Sequence, residues 1–334
     1  MLAYLLSSDV IPNGVRSGSL IIIFILSVFF DRSVWLGMDY LISFITGLAL
    51  FIVPQHLLQF QIFGTLDSHH YILARALGVV ILSNVLYCYL VSNSRDGTVH
   101  ISYLSSKSAS LCLMLLAGAH AVYGTKATSK PRLTDEQFLS FSGLACLLSL
   151  LGNIYHLALS KDYSSFPNYH IRFHMHLRLD FLISCTRAIA IYAFPIMAMK
   201  ALNVKQDVVS HTLLRFIASE DILASLISLQ AGTFLYEREK TIKMYCRIQS
   251  SITQILFFSY VCFFSNLNVS HSVFYLYCGL NILLILNAAF SLTESAMLIH
   301  DYRSPSKNGK DDNIDHSWFE ARKTPEKVTK QLFT

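Results

Sequence analysis

The stretch VWLGMDYLISFITGLALFIV, residues 34–53, carries one charged residue, Asp39, in twenty, and Pro54 follows it directly. A helix rising 1.5 Å per residue crosses the roughly 30 Å hydrocarbon core of a bilayer in about that length. Proline lacks a backbone donor and crowds the preceding turn, so it ends such a helix. Further apolar blocks follow at residues 71–91, 103–124, 137–159, 177–199, 211–235, 244–265 and 271–297. The expected fold class is all-α: a polytopic transmembrane helical bundle of eight spans.

Composition points to lipid as the solvent. Of 334 residues, 53% are hydrophobic and 14% charged, with a mean hydropathy of +0.47, which departs from a soluble domain. The net charge of +5 forms no basic face interleaved with aromatics, so nucleic acid is not an expected partner. All seven cysteines fall inside apolar blocks, without the loop spacing of a disulfide framework or the paired spacing of a zinc site. They read as small buried hydrophobes.

Before the first block, the apolar run Leu20–Phe30 follows Arg16 and meets Asp31 and Arg32 where a signal peptide would carry small residues. It is short for a span, and an N-terminal segment 1–33 with an interfacial helix is expected. Eight spans put both termini on one side. Twelve Lys and Arg lie in the connections and proximal tail of that side, against Lys126, Lys130, Arg132, Lys200 and Lys205 on the other. The basic excess marks the cytoplasm, so both termini are expected there, in a plasma-membrane or endomembrane protein. The sequon Asn268-Val-Ser falls on the opposite face, where glycosylation occurs. Residues 301–334 turn polar and mixed in charge, which predicts a disordered tail with a short helix near Trp318–Arg322.

The two halves of the chain match at special positions. Asp39 and Asp180 each precede a proline, Pro54 and Pro195, by fifteen residues, and His70 and His211 follow those prolines by sixteen. With a one-residue gap Arg75 meets Arg215, Lys107 meets Arg247 and Ser110 meets Ser250; a shorter second connection brings Asn153 onto Asn287. An internal duplication is expected, with repeats 34–159 and 177–300 joined by a basic, His-rich cytoplasmic link at 160–176. Four spans is an even number, so the copies share one orientation about an axis along the membrane normal.

The first copy resembles the small four-span membrane proteins first described as inducible by a tumour suppressor. The resemblance is carried by the span ending at Pro54, a polar link, and Arg75-x-x-Gly78 followed by Leu82-Ser83. It covers about fifty residues, and the second copy departs from it with Ala218 in place of the glycine. It implies architecture and no catalytic residues.

Ionisable groups inside spans are costly, so they are the candidate site residues. Asp39, Lys107, Asn153 and His156 fall near the cytoplasmic ends of their spans, as do Asp180, Arg247, Asn287 and Glu294 in the second half. Arg75 and Arg215 lie in the second span of each half. Arg187, Glu220 and Asp221 come near the midplane from opposite sides, and the expectation is that Arg187 pairs with one acid. The other acid should reach Arg215 or a polar cavity, or be protonated. His170, His174 and His176, with Arg172 and Arg178, suit anionic headgroups better than a metal, because no acid or cysteine completes a ligand set.

No nucleophile elbow, phosphate loop, zincin motif or glycosidase-type carboxylate pair is present. A non-enzymatic membrane protein with a structural, regulatory or adaptor role is expected, without cofactor or metal. Its partners would be membrane lipids, other membrane proteins or a second copy of the chain. A small transporter or channel, and a lipid-modifying enzyme using Asp39 and His156, are the alternatives.

Overall fold

The computed structural model describes residues 13–92, 94–124, 131–133, 142–160, 171–264 and 269–303. Among these the chain is all-α, apart from a two-residue antiparallel ladder between β1 (Ile62–Phe63) and β2 (Arg132–Leu133). The helices are α1 (Asn13–Val28), α2 (Arg32–Ile52), α3 (Pro54–Gln61), α4 (Ser68–Ser92), α5 (Gly97–Tyr123), α6 (Leu144–Leu159), α7 (Ile171–Ala193), α8 (Pro195–Leu202), α9 (Val208–Gln230), α10 (Glu237–Phe264) and α11 (His271–Arg303). The described residues up to Ser295 form one compact unit.

Helix starts follow local chemistry. Asp31, Asp96 and Asp207 cap α2, α5 and α9 by accepting from the amides of Arg32, Thr98 and Ser210 at 2.8, 2.9 and 2.8 Å, which satisfies donors the first turn leaves orphaned. Pro54 and Pro195 occupy the first position of α3 and α8, where a missing N–H costs nothing. At the second break the chain turns by 95° between α7 and α8. The expected span 177–199 therefore ends early, at Ala193. Asn203, in the left-handed region at φ 52°, closes α8 with its own amide on Lys200 and that of Val204 on Met199.

Among the described residues four helices are long and apolar enough to cross a membrane: α2, α4, α5 and the His271–Thr293 part of α11; the bent α7–α8 pair makes a fifth if it counts as one span. The difference from the eight expected has identifiable causes. Helix α6 has only sixteen residues, and α9 and α10 have 23 and 28 but carry several charges each. Helix α5 begins six residues before the expected 103, because Asp96 caps it. The segment before α2 is a helix as expected, but it starts at Asn13 and packs along α6.

Helix α2 packs along α4 and α7 along α9, while α9 lies against α5 and α4 against α10. Three contacts order α4 beside α9: His70 to Asp207, Asn84 to Glu220, and Asp96 to the Leu235 amide. Both sequence positions rise together, so the two helices run side by side in one direction. Apolar clusters bracket the pair. One gathers Trp35, Tyr87, Tyr103, Leu177, Leu223 and Phe234, the other Leu50, Leu73, Leu77, Met199, Val204 and Leu213. Large apolar side chains also face outward, among them Leu182, Leu256, Phe264 and Leu276. Acids and bases are buried while apolar groups are exposed, an arrangement that suits hydrocarbon rather than water as solvent.

Some expectations change. The link 160–176 is helical from Ile171, and His174 is 8% exposed, packed where a Cβ on Gly232 would stand. It is a core residue, not a headgroup contact. All seven cysteines are free, but only Cys88 and Cys246 are buried and Cys112 is exposed. The span expected to end at 297 is part of a helix running to Arg303, past the expected start of the tail. His170, Asn268, Trp318–Arg322 and the tail beyond 303 lie outside the described residues, as do the side chains of Arg172 and Glu294.

Candidate functional site

Helix α9 is the hub of the polar interior. Ser219, Glu220, Asp221, Ser225 and Ser228 are all buried on it. Consecutive helical residues point about 100° apart, so Glu220 and Asp221 address different neighbours. Asp221 accepts from Arg187 of α7 at 2.9 Å, and Arg187 also donates to Asn281 at 3.3 Å and Gln254 at 3.4 Å. The Tyr277 ring lies 5.8 Å from the guanidinium carbon, and its hydroxyl donates to Gln254 at 3.1 Å. The expected pairing of Arg187 with one acid is present.

The second acid does not go to Arg215. Glu220 receives the Asn84 side-chain amide at 2.7 Å and the Lys107 ammonium at 3.4 Å. Lys107 is not at a shallow level. Counted from the cap at Asp96 it is the eleventh residue of α5, about 15 Å along the axis, level with the middle of α9. Arg215 instead donates to the Tyr192 carbonyl at 3.3 Å and stacks over that ring.

Asp180 and Arg247 form a third buried pair. Arg247 Nη2 donates to Oδ2 at 2.9 Å, Nε stands 2.6 Å from Oδ1, and the Ser228 hydroxyl donates at 2.5 Å. In the first half Asp39 accepts from Tyr103 at 2.7 Å. Asn153 accepts from the Trp35 indole at 2.8 Å, and Asn287 stands 2.8 Å from the His176 ring. His156 lies against the Trp35 ring, 5.5 Å between centroids, and shares no hydrogen bond with Asp39. Arg75 lines a separate polar recess and has no carboxylate or hydrogen-bond partner among the described residues.

Between the starts of α4 and α9, fully buried His70 bridges Asp67 at 2.7 Å and Asp207 at 2.9 Å. Burial opposes the charge on Asp207, but the His70 ring and the Ser210 amide outweigh it and hold this carboxyl below the usual carboxylate range.

Several participants are not among the residues singled out from the sequence: Asn84, Tyr103, Ser228, Gln254, Tyr277 and Asn281. Their common signal is an uncharged polar side chain inside an apolar block. Among the described residues no cluster of three or more His, Cys, Asp or Glu could hold a metal. The three ion pairs neutralise their charges in place, while the buried Lys243 ammonium, with no carboxylate partner among the described residues, donates to the Ala224 carbonyl at 2.7 Å.

No curated protein and no solved structure matches the chain. A family model, described as a domain of unknown function (DUF8292), matches residues 37–293, from α2 through most of α11, and the chain belongs to that family.

Proposed function

We propose that the chain is a multi-pass integral membrane protein with a structural, regulatory or adaptor role, built from eight membrane segments as two four-helix halves of one orientation. One observation carries the role: the deep cations Lys107, Arg187 and Arg247 are each matched to a carboxylate inside a packed interior. Buried ion pairs fix register between helices, whereas a permeation path needs polar groups left free for the passing ion. A cavity beside Arg187, of about 280 Å³, is walled almost wholly by apolar side chains. Asp39 and His156 are engaged by different partners, which weighs against their forming a lipid-modifying pair.

The duplication is supported by local geometry. The residues before the two prolines, Val53 and Phe194, have φ/ψ of −126°/51° and −122°/55°, and each proline opens an eight-residue helix. Trp35 and His176 stand four residues before Asp39 and Asp180, and they meet the matched Asn153 and Asn287. The second helix of each half packs on the third helix of the other, and α4 and α9 run in the same direction. His70 and His211 are the weak member of the set: His70 is fully buried between two acids, while His211 is only half-buried. Helices α9 and α10 fit membrane segments because most of their charges face inward.

The test is reconstitution in liposomes. The unaltered protein should dissipate neither a potassium nor a proton gradient, Lys107→Leu should lower folded yield, and Lys107→Leu with Glu220→Leu should recover it. A flux that disappears in Glu220→Gln would overturn the structural role in favour of transport.

A further inference from the structure

The first two turns of α4 separate two adjoining recesses. His69, Ile72, Leu73 and Ala76, spaced as one helical face, line the apolar cavity of about 280 Å³. The neighbouring face, Ser68, Tyr71 and Arg75, lines a polar recess of about 290 Å³ that α10 closes. His69, Ile72, Phe257 and Val261 belong to both, so the two spaces adjoin.

The charges of the two recesses differ in kind. Arg187 at the inner end of the apolar cavity is neutralised by Asp221. Arg75 has no counter-ion among the described residues, although it lies within a helix apolar enough to span a membrane. The Nδ1 atom of His69, on the shared wall, is buried and lacks a hydrogen-bond partner. The matched Arg215 is already satisfied by Tyr192, so the open cation is particular to the first half. An uncompensated arginine in a membrane segment ordinarily marks a ligand or a pathway.

We propose that these recesses together form a site for one single-chain anionic amphiphile, with its acyl chain in the apolar cavity and its anionic head at Arg75 and His69. Planar donors of the guanidinium suit a carboxylate or phosphate. Cavities of this size lie at the small end of those that hold small-molecule ligands, which suits one chain rather than two.

The test uses the purified full chain in nanodiscs and a palmitic acid carrying a diazirine near its methyl end. Photolabelling should saturate at one probe per chain and map to the α10 and α11 segments around Phe257–Val261 and Val273–Leu280. Oleate should compete at least tenfold better than oleyl alcohol, a comparison that requires no variant. Lysophosphatidate run beside oleate identifies the source: the better competitor points to a glycerolipid or to a free fatty acid, and either leaves the anionic chemistry standing. Arg75→Gln should weaken labelling about tenfold and Arg75→Lys much less. Ala76→Phe should abolish labelling at an unchanged melting temperature. Labelling that never saturates, or equal competition by the alcohol, would mean ordinary boundary lipid and overturn the site.

Discussion

Glu220 and Asp221 show how a single step along a helix resolves an electrostatic conflict. Two neighbouring buried carboxylates in the middle of a helix would compete for one cation, but the 100° turn between them delivers one to α5 and the other to α7. The Arg187 pairing is readable in the sequence because both residues sit deep in their apolar blocks whichever way the ends are drawn. The Lys107 partnership is not, because its depth depends on a helix start set by Asp96, a cap lying outside the apolar block. Arg187 provides the prediction at this scale. Arg187→Leu leaves Asp221 buried without its cation, a loss of about 3–5 kcal/mol, whereas removing both charges is often neutral. Purified yield and thermal unfolding in detergent should fall for the single change and recover in Arg187→Leu with Asp221→Leu. Equal damage from both would show that the hydrogen bonds to Asn281 and Gln254, rather than the charge pair, hold this part of the bundle.

At the scale of helices, the two proline breaks are legible because proline acts locally, while the crossings they lead into depend on small residues whose role appears only in contact. Gly78 of α4 sits against the α2 backbone: a Cβ there would stand 2.7 Å from the Gly47 carbonyl oxygen and 2.8 Å from the Phe51 nitrogen. The matched positions in the second half, Ala188 and Ala218, are fully buried alanines. The α7–α9 crossing therefore accommodates a methyl group that α2–α4 does not. The same exchange should fail in both directions for different reasons. Gly78→Ala improves helix propensity but overpacks the crossing, at about 1–3 kcal/mol. Ala218→Gly removes a packed methyl and adds backbone freedom, at about 1 kcal/mol. Thermal unfolding of the two variants checks this, and a more stable Gly78→Ala protein would show that the crossing yields easily. The eight apolar blocks foretold where helices lie, but not which of them are apolar enough to cross, because α9 and α10 carry a polar interior that composition alone cannot distinguish from surface.

At the scale of the whole molecule, sidedness follows from counting and can be checked without a structure. If α2, α4, α5, α6, α7, α9, α10 and α11 are the membrane segments, their even number returns the chain to its starting side. The basic connections then cluster on that side: Arg95, Lys161 and Arg238 lie there, while Lys126, Lys200 and Lys205 face the other. On that arrangement the positive-inside bias predicts a cytoplasmic position for the residues before α2 and after α11. Helix α1 is the element that could alter this. It has sixteen residues and exposes Ile22, Ile25 and Leu26, yet at about 24 Å it falls short of the hydrocarbon thickness. It also packs along α6, which is equally short. Epitope tags placed at each end should therefore react with antibody only when the cytosolic face is open to it. An N-terminal tag detected from the opposite face, with the C-terminal tag still protected, would make α1 a ninth segment. Detection of both tags from that face would instead reverse the assignment of every connection and place the Arg75 recess toward the cytoplasm.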